Sequence, residues 1–210
     1  MKLNANEMGL EHPSKHTYQK AIGVLNEAFH NDPCLLYLLD SKDYNREKAK
    51  YIHELTLKLG IYFGTVLTTS RNFEGISIWM PPSRVHTKTW MFLRAGGLKL
   101  KKYIGGNILE KFEEYGNFSK KIHNRIINKP HWYLLSLAVR KEDQGKGYSK
   151  KMIIPVFDRL DNRKLPCYLE THNPKNLDFY YKLGFTLAEK GILPNTDITH
   201  YAMIRKPKLI

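Results

Sequence analysis

Residues 139–151 read VRKEDQGKGYSKK, with Gly145 and Gly147 flanking Lys146, directly after the apolar run WYLLSLAV at 132–139. A glycine-rich turn between a buried strand and a helix start leaves backbone N–H groups unpaired at the positive end of the helix dipole. That combination binds anions such as phosphate. The two glycines let the backbone approach phosphate oxygens, and Lys146, Lys150 and Lys151 add positive charge. A plain helix start also carries a small residue and lysines, so this stretch alone leaves both readings open. There is no GxxxxGK[ST], and Lys150 stands where a GxGxxG would end, which excludes the two commonest nucleotide loops.

Acid–base chemistry has fewer candidates. Glu170 lies within the apolar segment CYLET at 167–171, and a carboxylate there is costly unless it is paired or faces a polar cleft. Burial would raise its pKa toward that of a useful general base, whereas a structural salt bridge would account for it equally well. Tyr180 offers a phenolic proton, although Phe179 and Tyr181 beside it also fit a core helix. His131 and His172 are fallback bases. Asn173-Pro174 makes a sound helix N-cap with proline at the first helical position. The nine histidines include no HExxH and no close pair at ligand spacing, and there is no CxxC, so no metal is expected. Cys34 and Cys167 sit far apart in apolar surroundings and read as core thiols of a reducing compartment.

The elements that must hold these groups follow from periodicity. A helix is expected over residues 14–30, its stripe formed by Tyr18, Ile22, Leu25 and Phe29, with Ser14 as cap and Asp32-Pro33 as its end. Another follows at 45–59, and then IYFGTVLTTS and EGISIWMPP read as two strands of a hairpin. Residues 88–128 are helical, broken at Gly96-Gly97 and Gly105-Gly106 and ended by Pro130. The segment at 132–139 is a strand covered on both faces, followed by a helix at 147–161 in which Pro155 predicts a bend. A strand at 167–171, a helix from Pro174 to Leu183 stopped by Gly184, and strands FTLAEKG and HYAMIRK complete an α/β unit. Strand, helix and strand of these lengths imply parallel neighbours.

The chain has 210 residues, 42% of them hydrophobic, and fits one domain spanning 1–210. It has neither a stretch long enough to span a membrane nor the apolar core of a secretory signal, and it reads as soluble and cytoplasmic. A formal net charge of +14 suits an acidic partner, a phosphorylated cofactor or mere solubility. No helix-turn-helix spacing or RNA-binding aromatic pair accompanies the basic runs, so no specific nucleic-acid partner is expected. No membrane partner is expected either.

The segment LAVRKEDQGKGYSKK resembles the acetyl-CoA motif of the GCN5-related N-acetyltransferases (GNAT), V-x-P-x-x-[QR]-G-x-G-x-[GA], and ETHNPKNLDFYYKLGF at 170–185 resembles that family's next segment. GISIWMPP, HWYLLSLAV and the closing MIRKP are similar to the puromycin N-acetyltransferase branch. Lys141 replaces the usual proline, and Ser149 a Gly or Ala. The resemblance implies a GNAT fold: a mixed, mostly antiparallel central sheet flanked by helices, with a βαβ acetyl-CoA-binding core. Residues 131–206 would form the cofactor-binding and catalytic half, and 88–128 a substrate-side wall. It also implies that Leu137, Ala138 and Val139 offer backbone groups to the pantetheine arm. Gln144, Gly145, Lys146, Gly147, Tyr148 and Ser149 would wrap the pyrophosphate, and Asn173 would touch the arm. Tyr180 would protonate the leaving thiolate near the sulfur, and Glu170, from its place in the apolar strand, is the candidate base with His131 and His172 behind it. The implied reaction is direct attack of a small-molecule primary amine on acetyl-CoA, without metal. Trp79, Trp90, Phe92 and Trp132 could line the acceptor pocket, though core packing is the expected fate of most of them. A basic nucleic-acid-binding protein and a CoA sensor without turnover are the rival readings, and a homodimer is compatible with the sequence.

Overall fold

The computed structural model describes residues 3–40 and 44–208. The first apolar stripe forms α1 (Tyr18–Ala28), entered through a short 3-10 turn that Ser14 and Thr17 cap reciprocally. Asp32-Pro33 ends that segment, but it also starts a helix absent from the sequence reading. The Asp32 carboxylate accepts from the Leu35 N–H at 2.9 Å and Pro33 takes the first position of α2 (Pro33–Leu38). Asn45 caps α3 (Arg46–Phe63) in the same way. This helix runs through Ile61, Tyr62 and Phe63, which were expected in a strand, so β1 is only Thr65–Thr68. The β-branched and aromatic character of that segment gave way to helical burial: Leu57 and Leu59 are in the core just before it.

The expected hairpin forms between β1 and β2 (Gly75–Met80). The helical stretch divides at its glycine pairs into α4 (Thr89–Arg94), α5 (Gly97–Tyr103) and α6 (Ile108–Ile126). Gly96 sits at φ 103°, a backbone state open to glycine and strained for other residues. Then come β3 (Trp132–Val139), α7 (Tyr148–Asn162), β4 (Cys167–Thr171), α8 (Leu177–Lys182), β5 (Thr186–Ile192) and β6 (Thr199–Arg205). α7 continues as one helix through Pro155. The six strands form one sheet in the order β1-β2-β3-β4-β6-β5, antiparallel except for the β3–β4 pair. This is the expected mixed, mostly antiparallel architecture.

Alternation along the strands sends side chains to two opposite layers. Leu67, Trp79, Leu134, Cys167 and Leu169 pack with α7 and α8. Val66, Ile78 and Ala138 pack with α1 and α3, and Tyr168 packs with α6. A buried ion pair ties the end of α7 to β6: Arg205 donates to both Asp161 oxygens at 2.7 and 2.6 Å and lies over the Phe157 ring. The tryptophans proposed for a pocket divide accordingly. Trp79 and Trp132 are fully buried core residues, whereas Trp90 is exposed.

Candidate active site

The site begins where the sheet fails to close. β3 and β4 pair only at Trp132↔Cys167 and Tyr133↔Tyr168, and then diverge. A register shift lies opposite: Trp79 pairs with Leu134 and Ile78 with Ser136, so Leu135 is an extra residue that bends β3. From Leu134 to Val139 the β4-facing edge of β3 therefore lacks a ladder partner. Leu137, Ala138 and Val139 stand on this open edge. An extended chain of amides can add to such an edge as a further strand does.

The open edge leads to the glycine turn. Gly145 and Gly147 have φ of 79° and 86°, and α7 begins at Gly147 with no side-chain cap. Among the described residues, the backbone N–H groups of Gly145, Gly147, Tyr148 and Ser149 donate to no protein acceptor. A Cβ at either glycine would meet nothing within 4 Å, so glycine is required here by the positive φ and not by crowding. Asp143 shapes the turn by receiving Arg140 at 2.7 Å and Lys146 at 3.1 Å, while the Gln144 amide donates to the Val139 carbonyl. The lysines are therefore not all free for an anion: Lys146 is paired, and Lys151 donates to the Thr69 carbonyl at 3.3 Å. The cradle is made chiefly of backbone amides.

Glu170 and Tyr180 lie in opposite layers of the sheet. Glu170 alternates with Leu169 and so lies on the α6 side. Tyr180, on α8, belongs to the α7–α8 side and packs against Phe179 and Phe185. Burial raises the Tyr180 hydroxyl pKa, keeping the proton in place, and among the described residues no hydrogen bond holds that hydroxyl. Asn173 caps the turn before α8 by accepting from the Lys175 N–H at 3.1 Å.

Glu170 departs from the expected base. Ser119 and Tyr168 donate to its Oε1 at 2.7 and 2.9 Å, and Tyr115 and Tyr133 to its Oε2 at 3.2 and 3.3 Å. Burial pushes its pKa up, but nearby His200 and the donated hydroxyls outweigh it, and the net shift is downward. The expectation of a raised pKa is thus wrong: four hydroxyl donors hold the group as an anion. His131 is also unsuited, because its Nδ1 is bonded to the Lys129 carbonyl at 2.6 Å and its Nε2 to His123 at 2.6 Å.

A line of histidines continues from Glu170. His200 Nε2 lies 3.7 Å from Glu170 Oε1, and His200 Nδ1 lies 3.1 Å from His172 Nε2. The anion favours a proton on His200 Nε2. Its Nδ1 then accepts from His172, which leaves the His172 Nδ1 lone pair unclaimed by this chain of bonds. Burial lowers the His172 pKa to about 4, so the ring is neutral at neutral pH. His172 also approaches Asp32 and Cys34, with one ligand-type atom from each within 4.8 Å of the others. This grouping has an account without an ion, because Asp32 caps α2 and His172 bonds His200. His200, Tyr115, Ser119 and Tyr133 escaped the sequence reading, since distant segments bring them together. Tyr168 had a local signal, standing two residues before Glu170 on the same strand face.

Comparisons with known proteins show the family and the fold. Residues 99–185 match the model of the Acetyltransferase (GNAT) family. An uncharacterized N-acetyltransferase of Schizosaccharomyces pombe is 31% identical over 199 residues, covering 91% of this chain and 80% of the relative. Among solved structures, the Corynebacterium glutamicum histone acetyltransferase HPA2 and related acetyltransferase superposes with a TM-score of 0.65 at 21% identity, covering 96% of this chain and 97% of that one. Arylalkylamine N-acetyltransferase 2 of Aedes aegypti gives 0.59 at 15% identity, covering 95% and 98%. The Drosophila melanogaster polyamine N-acetyltransferase that forms N-acetylagmatine gives 0.61 at 12%, covering 94% and 98%. With the split sheet, the uncapped α7 and a homologous N-acetyltransferase that covers nine-tenths of this chain, the chain belongs to the GNAT family of acetyltransferases.

Proposed function

We propose that the protein transfers the acetyl group of acetyl-CoA to a primary amine of a small molecule. The observation that carries this reading is the β3–β4 ladder that stops at Tyr133↔Tyr168 and opens toward the unpaired amides of Gly145, Gly147, Tyr148 and Ser149. The phosphopantetheine arm of CoA bears amides and leads to a pyrophosphate, so one molecule satisfies both the free strand edge and the free helix start. Leu137, Ala138 and Val139 hold the arm, and Gln144, Gly145, Lys146, Gly147, Tyr148 and Ser149 surround the pyrophosphate. The free amide of Asn173 lies beside the arm.

The two faces of the seam divide the chemistry. The amine attacks the thioester carbon from the α6 side, forming the C–N bond. Its surplus proton is taken up on that side, where Glu170 and His172 are the candidate bases. On the α8 side, the C–S bond breaks as the Tyr180 hydroxyl gives its proton to the thiolate. The acceptor is read as a small, partly aromatic amine, supported by the resemblance to the puromycin branch and by the rings of Tyr115, Phe118, His172 and His200 on that side. A chain at +14 is a poor match for a polycation. The test follows CoA thiol release with puromycin, tryptamine, agmatine, spermidine and a lysine peptide. Absence of acetyl-CoA turnover with every amine would overturn the enzyme reading, and a spermidine or peptide preference beyond about tenfold in kcat/KM would overturn the acceptor class alone.

A further inference from the structure

Between Glu74 and Glu110 the chain carries no acidic residue, but it has Arg84, Lys88, Arg94, Lys99, Lys101 and Lys102. This window contains α4 and α5, and it also exposes large apolar side chains. Trp90 is 47% exposed, Leu93 47% and Leu98 64%. Trp90 and Leu93 are one turn apart on α4, and Leu98 follows on α5, which packs against both α3 and α4. Tyr62 at the end of α3 widens the patch. The cations are interleaved with the rings: Arg84 lies over Trp90 at 5.3 Å, Arg94 over Tyr62 at 5.8 Å and Lys102 over Tyr103 at 5.1 Å. Lys99 is engaged with Glu54, and among the described residues Lys88, Arg94, Lys101 and Lys102 have no carboxylate partner.

We infer that this face docks on an anionic lipid surface. Exposed tryptophan and leucine beside unpaired cations are what an interfacial segment presents to headgroups and the acyl boundary. A second copy of the same face would bring like charges together, so self-association is disfavoured. A nucleic-acid backbone would satisfy the cations but leave Leu93 and Leu98 against phosphate. No helix among the described residues is long and apolar enough to cross a membrane, so the contact is peripheral. No membrane partner was expected, on the lack of spanning and secretory segments; the lipid-docking face departs from that expectation, because it emerges only when α4 and α5 are brought together.

Trp79 and Trp132 are fully buried, so Trp90 is the tryptophan whose emission can sense lipid. With vesicles of phosphatidylcholine containing about 30% phosphatidylserine, emission should shift to the blue and the protein should co-sediment, with neither effect on phosphatidylcholine alone. Lys101→Glu/Lys102→Glu should weaken partitioning by at least about tenfold, and Leu98→Ser should weaken it severalfold, while both variants keep their fold by circular dichroism. Trp90→Phe should abolish the emission shift. Failure of the wild type to bind the anionic vesicles at low salt would overturn the inference. So would binding that ignores Leu98, equally tight binding to a DNA duplex, or a concentration-dependent dimer that buries Trp90.

Discussion

Replacing Gly147 by aspartate should cripple cofactor binding while leaving the protein folded. Gly147 has φ 86°, so any L-residue there incurs about 1–2 kcal/mol of backbone strain. Nothing lies within 4 Å of a new Cβ, so no steric cost is added. For a chain of this size the strain corresponds to a fall in Tm of a few degrees, at roughly 2–4 °C per kcal/mol. The electrostatic part is larger. A carboxylate about 4 Å from a phosphate charge costs about 1 kcal/mol in bulk water and about 4 kcal/mol at the edge of a protein. An intermediate value of about 3 kcal/mol raises Kd for CoA by about 10²-fold. Gly147→Ala carries the strain without the charge and should lose less than about tenfold, so the ratio of the two variants isolates the charge. Isothermal titration calorimetry with CoA measures both. Equal affinity in a folded Gly147→Asp variant would show that the 145–149 amides do not meet the pyrophosphate.

Four further outcomes are expected. Tyr180→Phe should lower kcat by about 10²- to 10⁴-fold with CoA affinity unchanged, and an unaltered kcat would return Tyr180 to the core. Glu170→Gln should reduce stability by about 1–3 kcal/mol in urea, because an amide cannot accept from four hydroxyls as the anion does; wild-type stability would contradict the network. Asp161→Ala should cost about 3–5 kcal/mol by leaving the buried Arg205 guanidinium uncompensated, read from the same titration. Burial lowers the pKa of His53 and His123 to about 3, so between pH 6.5 and that value the unfolded chain binds protons that the folded one does not. Stability should therefore fall as pH drops below 6.5, each histidine contributing up to about 1.4 kcal/mol per pH unit, and His53→Leu should flatten the slope.

The parts legible in the sequence were those whose signals are local. The run from WYLLSLAV through GKG to CYLET specifies strand, glycine turn, helix and strand because burial on two faces, positive φ and helical stripes each leave a mark within a few residues. Asp32-Pro33 shows the limit. The same dipeptide that ends α1 begins α2, and only the following packing of Cys34, Leu35 and Leu38 distinguishes a stop from a cap. The charge state of Glu170 was illegible for another reason. Its four donors come from α6, β3 and β4, up to 55 positions away, and tyrosine and serine in those elements are common without such a role. The sequence could show that a buried carboxylate needs partners, but it could not show whether they would raise or lower its pKa.

The short β3–β4 ladder has a mechanical consequence. Two residue pairs are all that join the half-sheet β1-β2-β3 to the half-sheet β4-β6-β5 by backbone pairing, so side-chain packing under α7 must hold the two halves in register. Cooperative opening units follow the density of such bonds, which makes this seam the natural boundary between two of them. A bound arm with amides facing both edges would act as a seventh strand, splicing the halves into one continuous unit. Amide hydrogens along β3 and β4 should then exchange in two separate groups without ligand and in a single slow group with it, so that the substrate becomes a structural member of the sheet it enters.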